Sequence, residues 1–110
     1  MTTMTLEAIE KRMLEGEIPP ARLGELRIIL GALYSQEMNK LEKIRAIKPS
    51  VWNEMRKDHK SDKATDREWE GSELGIAELH HSFQIKKMEK LMSALKMQWD
   101  IVNTELRNIT

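Results

Sequence analysis

The chain has three histidines and no cysteine among its 110 residues, and these set the first limits on its chemistry. Without cysteine there is no thiolate for zinc or iron–sulfur ligation, no thiol nucleophile and no disulfide framework. His80 and His81 are neighbours, so on a helix their side chains diverge by about 100°, whereas imidazoles that share a metal on one helix stand at i and i+4. His59 falls in another segment. All three read best as surface or half-buried imidazoles, and no metal or other cofactor is expected. Carboxylates are plentiful but interleaved with bases, as in Glu42-Lys43, Asp58 beside Lys57 and Lys60, and Asp66-Arg67. That is the pattern of an ion-paired, solvated helix surface. The sequence has no Ser/His/Asp arrangement and no nucleophile elbow, so a non-catalytic protein is expected.

The distribution of charge says more than its total. Lys plus Arg number 18 and Asp plus Glu 18, for no net charge. Residues 1–39 hold 4 bases and 6 acids, residues 40–67 hold 9 and 5, and residues 68–110 hold 5 and 7. The basic excess therefore sits in the middle of the chain. It includes Arg56, Lys57, Lys60, Lys63 and Arg67, and Trp52 and Trp69 bracket most of it. Cationic side chains neutralise phosphates, and aromatic rings stack on bases regardless of sequence for ~1–3 kcal/mol per base. These seven residues form the candidate site for single-stranded nucleic acid. The competing reading makes both tryptophans core anchors and leaves the charges merely solvated. Zero net charge favours it, because nucleic-acid binders are as a rule clearly basic.

The elements that must position these residues are helices. Leu, Met, Lys, Glu, Ala and Arg supply most of the chain, and no alternating strand or Asn-Gly or Asp-Gly hairpin signal is found. A first helix is predicted from about Thr5 to Glu15, ended by Gly16. Glu17-Ile18-Pro19-Pro20 is a rigid linker, and Pro20 suits the first turn of a second helix reaching about Ile47. Leu23, Leu26, Leu30 and Leu33 follow a heptad on that helix, continuing less cleanly through Ile44 and Ile47. Pro49 disfavours a helical Lys48, so a break is predicted there, followed by a short segment from Ser50 to about Lys60. Ser61-Asp62 and the Thr65-x-x-Glu68 capping box offer competing starts for a last helix running to about Arg107.

That last helix carries the most regular pattern in the chain. Ile85, Met88, Met92, Leu95, Trp99, Val102, Leu106 and Ile109 keep strict three-four spacing. A helix from residue 62 to 107 would be roughly 70 Å long, and the second helix folding back can cover only part of such a seam. Self-association is expected to cover the rest, with Ile85, Met88, Met92, Leu95, Trp99, Val102 and Leu106 as the interface. The expected fold is an all-α, oligomeric, elongated helical hairpin with a long C-terminal coiled-coil helix. It forms a single unit made of an N-terminal helix and linker (1–19), a kinked arm (20–60) and the heptad helix (61–110). Gly71 and Gly75 need a reason inside that helix. They mark either a close helix crossing or a hinge around Gly71-Ser72, while a phosphate cradle lacks its strand-to-helix context and its lysine. The start of the chain has no basic then apolar leader pattern, and the longest uncharged run is the nine residues Ile28–Gln36, against the ~20 of a membrane helix. A soluble, cytoplasmic protein with no membrane partner is expected.

Two stretches, Arg56-Lys57-Asp58-His59-Lys60-Ser61-Asp62-Lys63 and Glu68-Trp69-Glu70-Gly71-Ser72-Glu73, precede the heptad helix. In this layout, over roughly residues 35–110, the chain resembles small helical proteins of tailed phages, in particular the UvsY-type recombination mediators. The resemblance implies an oligomeric accessory protein in the cytoplasm of a bacterial host. It would bind single-stranded DNA and help a recombinase load onto DNA coated by single-strand-binding protein. The alternative is a coiled-coil interaction protein with no nucleic-acid role: a phage scaffold, an adaptor, a regulatory subunit or an inhibitor.

Overall fold

The computed structural model describes residues 5–16 and 18–109, with the side chain of Ile109 outside that description. The reading of residues 1–4, of Glu17 in the linker and of Ile109 on the apolar face thus lies outside the described residues. The protein is all-α. Four helices follow in order, α1 Leu6–Leu14, α2 Pro20–Arg56, α3 Asp62–Gly71 and α4 Glu73–Ile109, with no strand among the described residues.

Local chemistry sets most helix ends. The Thr5 hydroxyl accepts the Ala8 N–H at 3.2 Å to cap α1, Glu7 lies in its first turn and Lys11 and Arg12 in its last, as the helix dipole favours. Gly16 follows at a φ of 115°, a left-handed conformation that costs glycine nothing and stops the helix. Pro20 opens α2, where a missing N–H goes unnoticed. Of the two competing starts for α3, Ser61 is used. Its hydroxyl accepts the Ala64 N–H at 3.2 Å, while Thr65 is buried and donates to the Ser61 carbonyl at 3.0 Å.

Two predicted boundaries are corrected. The break at Lys48 does not occur, and α2 runs through Pro49 to Arg56. A helix-interior proline forfeits one hydrogen bond and crowds the preceding turn, at ~3 kcal/mol. Here tertiary contacts flank it: Leu41 and Ile44 are buried, Lys48 bonds Glu78 and Trp52 bonds Asp66. The single helix predicted from residue 62 to 107 is instead two. Ser72 is extended, with φ −77° and ψ 160°. Its hydroxyl accepts the Gly75 N–H at 3.1 Å, capping α4, and donates to the Trp69 carbonyl at 2.5 Å.

Gly75 explains the joint. A Cβ there would lie 2.6 Å from the Trp69 carbonyl carbon and closer still to its oxygen. The glycine is required because the end of α3 presses its backbone onto the first turn of α4, a joint within the chain rather than a crossing of two distant helices. At Gly71 an added Cβ would meet nothing within 4 Å.

The chain divides into two compact units, Met1–Ser35 with Lys86–Thr110, and Gln36–Ile85. Their limits cut across helix boundaries, since α2 and α4 each contribute to both. In the first unit, Leu6 and Ile9 of α1, Ile18 of the linker, Leu23, Leu26 and Leu30 of α2, and Met88 and Leu95 of α4 form one buried cluster, against which Trp99 and Val102 pack. Lys87 pairs with Glu10 at 2.8 Å and Tyr34 donates to Glu89 at 3.2 Å. In the second unit the buried side chains are Leu41, Ile44, Thr65, Trp69 and Ile85.

The heptad face of α4 is therefore largely occupied by the chain itself. Met88 and Leu95 belong to the first unit's own core, Trp99 and Val102 line it, and Ile85 is buried in the second unit. Of the seven residues expected at an oligomer interface, only Met92 and Leu106 are exposed.

Candidate interaction surfaces

Chemistry in the second unit centres on Glu78. One carboxylate oxygen accepts the Trp69 indole N–H at 3.1 Å and the Lys48 ammonium at 3.4 Å, and the other lies 3.7 Å from Arg45. Partial burial by itself raises this carboxyl, but the indole N–H and the two cations outweigh it and hold the group below its ordinary value. The Lys48 ammonium also stands 5.2 Å over the Trp69 ring, a cation–π contact. Trp69 is thus a buried anchor with its polar atom satisfied, and its ring is not available to stack on a base.

The remaining candidates for nucleic acid separate into two groups. Trp52 is half-buried and donates to Asp66 at 2.8 Å. Arg56 organises the α2–α3 turn, reaching Asp62 at 2.8 Å and the carbonyls of His59 at 2.5 Å and Lys60 at 3.5 Å. Lys57 pairs with Glu54 at 2.9 Å. Lys60, Lys63 and Arg67 are exposed and have no carboxylate partner among the described residues. Lys63 and Arg67 stand four apart on α3, hence on one face.

The histidines are spread out. His59 pairs with Glu68, His81 meets Glu37 at 2.5 Å, and His80 is exposed. No group of three or more His, Asp or Glu residues converges as metal ligands among the described residues, and no helix there is long and apolar enough to cross a membrane.

A surface that the sequence reading did not single out lies on α4. Ile76, Leu79 and Phe83 are 58%, 57% and 59% exposed. Their three-four spacing aligns them on one face. At 3.6 residues per turn that face lies roughly 135° around the helix from Met88 and Leu95, which is why the helix's buried side leaves it uncovered. The signal was present, since the three share a period with the dominant heptad, but they fall in the opposite phase and before its first residue. Comparison with family models, curated proteins and solved structures finds no match to this chain.

Proposed function

We propose that the protein is a non-catalytic helical interaction protein that self-associates through Ile76, Leu79 and Phe83. The observation that carries this reading is the alignment of three large, more than half-exposed apolar side chains on one face. Single exposed apolar residues are ordinary, whereas a contiguous group marks a contact surface. Antiparallel pairing of two copies would set Ile76 opposite Phe83 with the two Leu79 side chains between them, the self-complementarity that a two-fold contact requires. Light scattering at tens of micromolar should give more than one chain mass. Leu79→Asp and Phe83→Asp should each return it to one chain mass with an unchanged circular dichroism spectrum, because both side chains are already exposed. A monomeric unmutated protein would overturn the reading.

Lys60, Lys63 and Arg67 favour a second reading, the accessory protein that binds single-stranded DNA and serves a recombinase in the presence of single-strand-binding protein. Three unpaired cations within eight positions, two of them on one helix face, can follow a phosphate backbone. Compared with the expected set of seven, this is a smaller surface, and it has no buried tryptophan in it.

A further inference from the structure

In the first unit an open groove of about 480 Å³ runs between α2 and α4, lined by Gly24, Arg27, Ile28, Met92, Ser93 and Lys96. Three features set it apart. Its apolar side chains are presented to solvent, Ile28 being 76% exposed. Arg27 on one wall and Lys96 on the other are exposed, and neither has a carboxylate partner among the described residues. Lys11, Arg22 and Lys87 are paired with Glu15, Glu25 and Glu10, and Arg12, Lys86 and Lys90, which have no carboxylate partner among the described residues, do not line this groove. Lastly, Gly24 sits inside a helix at ~1 kcal/mol relative to alanine, yet nothing lies within 4 Å of where its Cβ would be. Gly31, one heptad later on the same side of α2, is equally open. Neither glycine has a positive φ, so no packing or backbone requirement inside the chain accounts for them.

We infer that this groove docks an acidic amphipathic segment of a partner protein. Its apolar side chains would enter between Ile28 and Met92, and its carboxylates would meet Arg27 and Lys96. Glycine on the groove wall lets a partner's backbone approach closely, as when an amphipathic helix lies in an apolar groove. The two unpaired cations choose the sign of the partner: a basic segment would face uncompensated repulsion, an acidic one charge complementarity. This surface differs from the Ile76–Leu79–Phe83 face and does not depend on self-association through it.

The test is fluorescence anisotropy with two labelled synthetic helical peptides, each with leucine at i, i+3, i+4 and i+7. One carries glutamate and the other lysine at every remaining position. The acidic peptide should bind the full-length protein, more weakly as salt is raised, and the basic peptide should not. Gly24→Leu fills the groove from a site with open space, so it should weaken acidic-peptide binding by about tenfold or more without lowering the melting temperature. The double variant Arg27→Glu, Lys96→Glu should reverse the preference toward the basic peptide. Equal binding of both peptides, no binding of the acidic one, or an unaffected Gly24→Leu would each overturn the inference. So would loss of self-association in Gly24→Leu without acidic-peptide binding, since the occupant would then be a second copy of this chain.

Discussion

Glu78 shows how a single residue gathers several demands. Its carboxylate satisfies the N–H of buried Trp69 and compensates Lys48 and Arg45. Glu78→Gln keeps the shape but leaves both cations without their partner, and should destabilise by on the order of 1 kcal/mol at neutral pH. The folded carboxyl is held below its ordinary value, so its contribution is complete above the unfolded value and fades as pH falls through the folded one. The gap in melting temperature between the two proteins should therefore be widest near pH 7 and close as the pH is lowered below the carboxylate range. A gap that grew on acidification would contradict this account. The sequence made Trp69 visible as an aromatic beside a basic run, which suits base stacking and core anchoring equally. What separates them is whether the indole N–H finds a buried acceptor, and Glu78, nine residues further on, cannot be identified as that acceptor until the Ser72 joint folds α4 back near α3.

At the scale of elements, the α3–α4 joint is the most constrained feature. Gly75→Ala would gain ~1 kcal/mol in helix propensity but force a Cβ into the Trp69 carbonyl, and overpacking of this kind costs ~1–3 kcal/mol. Because the obstacle is backbone rather than a flexible side-chain tip, the net change should be destabilising. Gly71→Ala, where the space is open, should raise the melting temperature. Thermal melts of the two variants check both signs, and a Gly75→Ala protein that melted higher would dismiss the close contact. Helix starts were legible where one side chain decides them, as at Thr5 and Pro20, and left open between two caps where Ser61 proves to be the one used. The joint was not, because Glu68-Trp69-Glu70 and Glu73-Leu74 both suit a continuous helix, and only the Ser72 hydroxyl with the adjacent close approach of Gly75 diverts the chain. Pro49 misled in the opposite direction. Its local preference for a break is real, but contacts from Lys48 and Trp52 on both sides outweigh it. The apolar face of α4 was plain in Met88, Leu95 and Trp99, whereas its occupant was not, since intramolecular and intermolecular seams share one period.

For the whole molecule, the balance between the two functional readings rests on how many cations are free. With Arg56 and Lys57 engaged internally, binding of a single strand through Lys60, Lys63 and Arg67 should show a log-affinity against log-salt slope no steeper than about two. Changing these three to alanine should abolish it. Anisotropy of a labelled thirty-nucleotide strand across a salt series measures both, and a slope near ~3.5 would show that Arg56 and Lys57 leave their partners to join the contact.

The division into units bears on the order in which the protein can be made. Gln36–Ile85 is continuous in sequence, while the other unit is assembled from two stretches on either side of it. On a ribosome, Leu23, Leu26 and Leu30 emerge early, but Met88 and Leu95, which complete their core, emerge only after the entire second unit. The inserted unit can therefore close first from local contacts, while the leucines of α2 have only Leu6, Ile9 and Ile18 to cover them until synthesis passes the middle of α4. During that interval the nascent chain shows its greatest need of a chaperone.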